Sequence, residues 1–100
     1  MFVVRQTEEF AVWLDGLRDA KARVRIAARI RHIEAGTLGD WKAVGGEVGE
    51  LRVHCGPGYR LYFARRGKVV IVLLCGGDKS SQQRDIRKAI ELASNLGEDL

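Results

Sequence analysis

Residues 56–84, GPGYRLYFARRGKVVIVLLCGGDKSSQQR, contain the turns and strands around which the rest of the chain is predicted to fold. Pro57-Gly58 suits the two central positions of a type II turn, where proline fixes one backbone angle and glycine accepts a positive one. Residues 68–75, KVVIVLLC, form a short β-branched run bounded by glycines, which is typical of a strand covered on both faces. We therefore expect the chain to reverse before Tyr59 and then to form a strand in the middle of a sheet.

The stretch between the turn and the apolar run alternates, as a strand with two different faces does. Its large apolar side chains share the face that we predict to be core: Tyr59, Leu61 and Phe63. The other face carries Arg60, Tyr62, Ala64 and Arg66. This second face is predicted to be a basic and aromatic surface that could bind an anionic ligand.

Two helices are predicted before the sheet, after a short β-type segment at residues 2–6. Thr7 can cap the first helix, whose apolar stripe is Phe10, Trp13, Leu14 and Leu17. Asp19 can start a second helix that runs to about Ala35, with Ile26, Ile30 and Ile33 on one face. Another face of that helix is basic and carries Arg18, Lys21, Arg25 and Arg29. This stripe could contact RNA or an acidic partner helix, or it could be an ordinary solvated face.

A strand at 41–44 and a second at 47–55, EVGELRVHC, are predicted next. Val48, Leu51 and Val53 cannot share one face of a regular strand, so we expect a bulge at Gly49. Beyond the bulge, the side chains that point away from the core are Glu50, Arg52 and His54. If the register lets this set share a face with the polar set of the following strand, four groups converge: Arg52, His54, Arg60 and Tyr62.

The chain after the apolar strand is predicted to leave the sheet at Gly76-Gly77 and to enter a last helix. Ser80 and Gln83 fit a capping box, and Gly97 is a predicted stop before a frayed acidic tail at 97–100. The apolar stripe of this helix is Ile86, Ala89, Ile90, Ala93 and Leu96. The pattern predicts one α+β domain over 1–100: an N-terminal helix hairpin packed on a mostly antiparallel twisted sheet of four to five strands, plus a C-terminal helix.

Charge and cysteine usage narrow the function classes. The net charge is +4, and the excess lies in residues 36–75, which carry six Lys/Arg and three acids. This excess favours a phosphate-bearing or acidic partner, and ordinary solvated surface charge is the alternative. Cys55 and Cys75 have no metal-type spacing and are expected to be buried free thiols, with no metal or cofactor.

No apolar stretch approaches the ~20 residues of a membrane span and no leader pattern is present, so we expect a cytoplasmic protein.

The blocks GPGYR (56–60) and GGDKSSQ (76–82), together with GDWKAVGGEVGELRV (39–53) and WLDGLRDAKARVRIAARI (13–30), resemble the RelE/ParE toxin superfamily. The HigB-like branch, the addiction module killer toxins of type II toxin–antitoxin systems, is the most similar. The resemblance implies a RelE-like fold and a metal-independent, ribosome-dependent mRNA endoribonuclease that inhibits translation. It also implies the ribosome, mRNA and a cognate antitoxin of the helix-turn-helix type as partners.

The resemblance also suggests roles for individual residues. Arg60 matches an arginine that handles the scissile phosphate, and Lys79 matches a basic catalytic or phosphate-binding position. Arg52 fits as a further catalytic cation, and the other predicted RNA contacts are Lys42, Tyr62 and Arg66. His54 could transfer a proton, since its unperturbed pKa is near ~6.5, or it could be structural. A tyrosine that stacks on the substrate base in RelE-type enzymes is replaced here by Ile86.

Two other functions fit the same sequence. A ParE-type protein inhibits DNA gyrase without catalysis, and an inactive toxin-like protein would only bind its antitoxin. The nuclease hypothesis requires Arg52, Arg60 and Lys79 to meet over the sheet, where they could hold one phosphodiester.

Overall fold

The computed structural model describes residues 1–97 and contains five strands and three helices in that range. The predicted acidic tail lies outside the described residues from position 98 onward. In chain order the elements are β1 (Val3–Gln6), α1 (Glu8–Asp15), α2 (Ala20–Glu34), β2 (Trp41–Gly45), β3 (Val48–Val53), β4 (Tyr59–Arg66), β5 (Val70–Gly77) and α3 (Gln82–Ser94). A short 3-10 turn, Lys79–Ser81, joins β5 to α3.

All five strands form one sheet in the order β1-β5-β4-β3-β2. β1 pairs with β5 in parallel, and the other neighbours pair in antiparallel fashion. The apolar strand β5 is an interior strand, as predicted, although β4 is the central one. The predicted α+β architecture is confirmed.

α1 and α2 cover one face of the sheet, and both begin at the predicted caps. The Thr7 hydroxyl accepts a hydrogen bond from the Phe10 N–H at 3.0 Å, and an Asp19 carboxylate oxygen accepts one from the Ala22 N–H at 3.0 Å. The main core lies between these helices and the sheet. Its buried members are Phe10, Ala22, Ile26, Ile33, Leu51, Val53, Tyr59, Leu61, Phe63, Ile71 and Leu73.

α3 covers the other face of the sheet and forms a second core. Its buried members are Val48, Tyr62, Ala64, Val72, Leu74, Cys75 and Ala89. The prediction that this face of β4 is an open basic and aromatic surface is therefore wrong over Tyr62 and Ala64, because the apolar stripe of α3 packs there. α3 ends at Ser94, three residues before the predicted stop at Gly97.

The predicted bulge at Gly49 is absent. β3 pairs with β4 in continuous register from Val48 to Val53, and Val48 points into the second core instead of the first. No kink is needed because both faces of the sheet are buried. Gly49 has a different role: a Cβ at this position would lie 2.4 Å from the Phe63 ring, so only glycine lets that ring cross the strand.

The turn and the helix entry are each shifted from their predicted positions. The Gly58 N–H donates to the Cys55 carbonyl at 3.1 Å, so Gly56 and Pro57, and not Pro57 and Gly58, are the central residues of the turn. Gly76 and Gly77, which were predicted to leave the sheet, remain in β5 and pair with Leu61 and Arg60.

The predicted capping box at Ser80 and Gln83 is wrong. The Asp78 carboxylate accepts a hydrogen bond from the Ser80 N–H at 2.8 Å and caps the 3-10 turn. Ser81, which precedes α3, makes no side-chain capping bond. A carboxylate accepts hydrogen bonds from backbone N–H groups more strongly than a hydroxyl does, and this favours the earlier cap.

Both cysteines are free thiols; Cys75 is buried and Cys55 is partly buried. Burial raises the pKa of the Cys75 thiol to about 12, so this group stays protonated and unreactive at neutral pH. Within residues 1–97, no helix combines the length and the apolar character that crossing a bilayer requires.

Gly49→Ala is expected to lower the free energy of unfolding by about 2 kcal/mol, because the added methyl group must displace the Phe63 ring from a packed core. Urea denaturation measures the change. Gly97→Ala is the matched control, since a Cβ there meets nothing within 4 Å. The double variant Gly49→Ala/Phe63→Leu should recover part of the loss. A Gly49→Ala protein with the wild-type denaturation midpoint would contradict the assigned role of this glycine.

Candidate functional site

A buried carboxylate, that of Glu50, lies at the centre of the polar residues between the sheet and the start of α3. Glu50 is fully buried and lies opposite Tyr62 across the β3–β4 pair. Its Oε2 accepts hydrogen bonds from the Tyr62 hydroxyl at 3.1 Å and from the Gln82 side-chain amide at 2.9 Å. Its Oε1 lies 3.8 Å from Arg52 Nε and 3.7 Å from Arg60 Nε. One carboxylate thus joins β3, β4 and α3.

The charges of this cluster do not cancel. Two guanidinium groups face one carboxylate, which leaves one positive charge in excess. Within residues 1–97, Glu50 Oε1, Arg52 Nε and Arg60 Nε are buried and have no hydrogen-bond partner. Buried polar groups without partners cost free energy, about 1–3 kcal/mol each, so each of them calls for a structural or functional explanation. The cluster is therefore a candidate functional site.

The register confirms that Arg52 and Arg60 share a face of the sheet. They are direct cross-strand partners, two residue pairs beyond Glu50 and Tyr62 and therefore on the same face. Arg52 keeps 35% of its side chain exposed and Arg60 keeps 13%. Arg60 Nη1 also donates to the Gly58 carbonyl at 2.8 Å, which holds the guanidinium against the turn. Arg52 is the more accessible of the two cations.

Lys79 lies at the same end of the sheet. Its N–H donates to the Pro57 carbonyl at 3.4 Å, across the turn that Arg60 braces. A Cβ on Gly58 would lie 3.2 Å from Arg60 Nη1 and 3.6 Å from Lys79 Cβ, so both residues flank the same glycine. Arg52, Arg60 and Lys79, from β3, β4 and the start of α3, are thus brought to one end of the sheet. We call these three residues the cationic triad.

A polar cleft of about 450 Å³ opens beside the triad, where α3 begins. Lys79 and Gln82 line it together with Arg84 and Arg87. Lys42 of β2 lies directly opposite Glu50 in the register and is exposed, so it lies on the same face of the sheet as Glu50. Of the triad, Lys79 alone lines this cleft, so a negatively charged ligand in the cleft would contact Lys79 directly.

His54 lies just past the end of β3 and pairs with Asp40. Its Nε2 is 2.7 Å from an Asp40 carboxylate oxygen, and both side chains are exposed. The hydrogen bond with His54 holds the pKa of Asp40 below its usual range. Asp40 fixes the orientation of the imidazole, as a carboxylate partner does for catalytic and structural histidines alike.

Tyr62 and Arg66 are predicted RNA contacts, but the structure does not place them on an open basic surface. Tyr62 is fully buried, and its ring offers no face for a base to stack on. Arg66 lies at the far end of β4, roughly 20 Å from Arg60 at about 3.3 Å per residue. Its Nη2 donates to the Ala93 carbonyl at 3.1 Å, at the end of α3. The alternation of β4 did place Arg60, Tyr62 and Arg66 on one face, but it could not show that α3 covers most of that face.

Sequence reasoning missed Glu50 and Gln82. Glu50 was placed on the same face as Arg52 but without a role, although a carboxylate two residues from an arginine on one strand face indicates an ion pair. Gln82 lies in the GGDKSSQ block, and nothing in its spacing indicates that it reaches Glu50. Ile86, in contrast, lies in the apolar stripe of α3 as predicted. Within residues 1–97, no three His, Cys, Asp or Glu side chains are grouped closely enough to hold a metal ion.

Comparison with known proteins gives two matches. The family model described as phage derived protein Gp49-like (DUF891) matches residues 12–97. An uncharacterized protein of Haemophilus influenzae is 43% identical over 94 residues, which cover 94% of this chain and 95% of that protein. The family match begins within α1 and continues through α3, so it includes the whole cluster around Glu50.

Glu50→Gln is expected to lower the free energy of unfolding by about 2–3 kcal/mol, because it leaves two partly buried guanidinium groups without a counter-charge. Thermal or urea denaturation measures the loss. Glu91→Gln, an exposed change on α3, is the matched control and should shift stability by less than about 0.5 kcal/mol. Equal stabilities of the two variants would show that the Glu50 carboxylate does not hold the arginines.

Tyr62→Phe is expected to flatten the decline of stability at alkaline pH. Burial, reinforced by the neighbouring Glu50, raises the pKa of the Tyr62 phenol above its ordinary value. The phenol therefore ionises in the unfolded chain from about pH 10 while the folded protein keeps the proton, and stability falls as the pH rises by up to about 1.4 kcal/mol per pH unit. Urea denaturation from pH 8 to pH 11 measures the slope. Identical slopes for wild type and Tyr62→Phe would refute this assignment.

Proposed function

Because the chain belongs to the Gp49-like family of phage-derived proteins, we propose that it is the toxin of a toxin–antitoxin pair and cleaves messenger RNA. The family is toxin-like, of the RelE type, and membership implies an antitoxin partner. The observation that carries the catalytic part of the proposal is the cationic triad beside an open polar cleft. A scissile phosphate needs concentrated positive charge that is ordered before the substrate arrives.

The proposed reaction is a transesterification within the RNA strand. The ribose 2′-oxygen attacks the adjacent phosphorus, the bond from phosphorus to the 5′-oxygen breaks, and the products carry a 2′,3′-cyclic phosphate and a 5′-hydroxyl. His54, oriented by Asp40, accepts the proton of the 2′-hydroxyl. Lys79 returns a proton to the departing 5′-oxygen. The step needs no oxidant, reductant or further reactant.

The two arginines act on the phosphate oxygens in this scheme. Arg60 is held by Glu50 and the Gly58 carbonyl, so its guanidinium is ordered in the free protein. Arg52 is more exposed and lies beside it, so the pair can receive the negative charge that builds up on the oxygens. Glu50 is a positioning residue, because it contacts the arginines and is too deeply buried to touch the substrate. Lys42, which is exposed on the same face of the sheet, contacts the RNA backbone.

The ribosome supplies substrate positioning in this proposal. The polar cleft is open, and Ile86 stands where RelE-type enzymes have a stacking tyrosine. A toxin that relied on the decoding site to present mRNA would need only the phosphate-binding and proton-transfer groups. The antitoxin, which we propose to be of the helix-turn-helix type, neutralises the toxin by covering this basic surface or by blocking entry into the ribosome.

Lys79→Ala is expected to abolish growth arrest and to lower mRNA cleavage about 10²–10³-fold, because it removes a charge aimed at the reacting phosphate. Lys79 is exposed, so the fold should be retained, and circular dichroism with thermal denaturation checks this. Lys68→Ala is the matched control: it removes the same charge from an exposed position in the β4–β5 turn, at the opposite end of the sheet. Primer extension on mRNA from translating extracts measures the cuts.

The same assay separates the nuclease from the other functions. Growth arrest with no cut message but with trapped DNA–gyrase complexes would replace the proposal by a ParE-type activity. Overexpression without growth arrest, accompanied by tight antitoxin binding, would indicate an inactive toxin. Full cleavage by a folded Lys79→Ala protein would remove Lys79 from the site, and Arg60→Lys then tests whether the bidentate guanidinium is needed.

A further inference from the structure

A second cationic cleft, of about 280 Å³, lies between α2 and the end of β3. α2 contributes Arg25, Arg29 and His32, and the end of β3 contributes Arg52 and His54. Ala28 lines it as well, and its short side chain leaves the space open. The volume corresponds to several water molecules at roughly 30 Å³ each, which is room for a hydrated phosphate group.

The positive charge of this cleft is only partly compensated. Within residues 1–97, two of its lining residues form ion pairs: His54 with Asp40, and Arg52 with Glu50. Arg29 bonds only neutral carbonyl oxygens there: Nη1 donates to Arg52 at 2.5 Å, and Nη2 donates to Leu38 at 3.1 Å and to Asp40 at 2.8 Å. These bonds brace the loop before β2 against β3, and the Asp40 carboxylate attracts Arg29 without forming an ion pair with it. A cleft built in this way favours an anion.

α2 extends the same positive surface along one flank. The helix has five Lys/Arg residues against a single acid, Glu34. Lys21 and Arg25 are four residues apart and His32 follows seven residues later, so these three share one flank of the helix. Arg25 and His32 line the cleft, which identifies this flank as the one that faces β3. Arg23 and Arg31 lie on the opposite flank and do not line the cleft.

We infer that this cleft is a second phosphate subsite, which binds the RNA backbone beside the phosphate held by the cationic triad. Arg52 links the two sites: its Nε lies 3.8 Å from Glu50, and its side chain also lines the cleft. An RNA strand leaving the triad toward α2 therefore meets Arg52, then Arg25 and His32, with Lys21 further along the flank. A small concave site lined by guanidinium and imidazole groups suits a single phosphate better than the broad surface of an acidic helix.

This inference rests on the proposed function, because it takes RNA as the ligand of the triad. The probe is a fluorescent single-stranded RNA of about 12 nucleotides, 2′-O-methylated throughout so that it binds but cannot be cut. Fluorescence anisotropy gives its affinity for the full-length protein over a range of salt concentrations. The variant is Lys21→Ala/Arg25→Ala, and the matched control is Arg23→Ala/Arg31→Ala, which removes the same charge from the other flank of the same helix.

We expect the Lys21→Ala/Arg25→Ala protein to bind the probe at least about tenfold more weakly near 0.15 M salt. The slope of log affinity against log salt should fall by about 1.4, since each lost phosphate contact on a single strand changes it by about 0.7. The control pair should stay within about twofold of wild type. Equal weakening by both pairs, or none by either, would overturn the subsite. Loss of antitoxin binding with unchanged RNA binding would overturn it too, and would make this flank a protein-binding surface.

The cleavage assay on unmodified mRNA keeps this test separate from that of the proposed function. Flank-specific loss of RNA binding in a protein that never cuts mRNA would support the subsite and remove the nuclease. Normal cutting with no flank-specific effect on binding would remove the subsite and leave the nuclease in place.

Discussion

The structure depends on the burial of one carboxylate, that of Glu50, beneath the start of α3. Its oxygens face donors from three elements: Tyr62 and Arg60 on β4, Arg52 on its own strand and Gln82 on α3. In a low-dielectric interior these contacts are strong when they are complete and costly when they are not. The carboxylate therefore ties the helix to the sheet and at the same time holds two guanidinium groups at the end of the sheet, where solvent can reach them. Stability and the candidate site share the same atoms.

The location of the site follows from how α3 covers the sheet. Along most of its length α3 buries apolar side chains, and the face beneath it is closed. At its first turn the helix comes close to β5, where a Cβ on Gly77 would lie within bonding distance of the Asp85 carboxylate, so only glycine fits. The Ser81 hydroxyl donates to that carboxylate at 2.5 Å, and Lys79 stands just outside. The apolar residues of α3 stop covering the sheet at this point, and charged residues take their place. Arg60 lies at the same edge, next to the turn between β3 and β4. A basic surface that would have been spread along β4 is thus concentrated at one end.

Several features could be predicted because they depend on near neighbours in the chain. Thr7 and Asp19 cap helices through backbone groups three residues away, and the interior position of β5 follows from its unbroken apolar run. The meeting of Arg52 and Arg60 was also predictable, because one short turn joins their strands and alternation leaves only two possible faces. The wrong predictions for Val48 and Tyr62 required knowledge of what covers each face of the sheet. Both predictions assume that only one face of the sheet is buried. Because the other face is buried as well, no bulge is needed at Gly49 and Tyr62 has no contact with solvent.

The sequence by itself determined the α+β class, the starts of α1 and α2, the two faces of β4 and the alternation that puts Arg52 and Arg60 on one face. Each of these features depends on local geometry. The strand period of two and the helix period of 3.6 can both be seen within a single segment of the sequence. Only the tertiary structure decided that Glu50 is the buried partner of the arginines, that Arg66 belongs to the other end of the sheet, and that α2 and the end of β3 enclose a second cationic cleft. These outcomes depend on which distant segments come within a few ångströms of each other, since Coulomb and hydrogen-bond energies are set by that distance and by the exclusion of water.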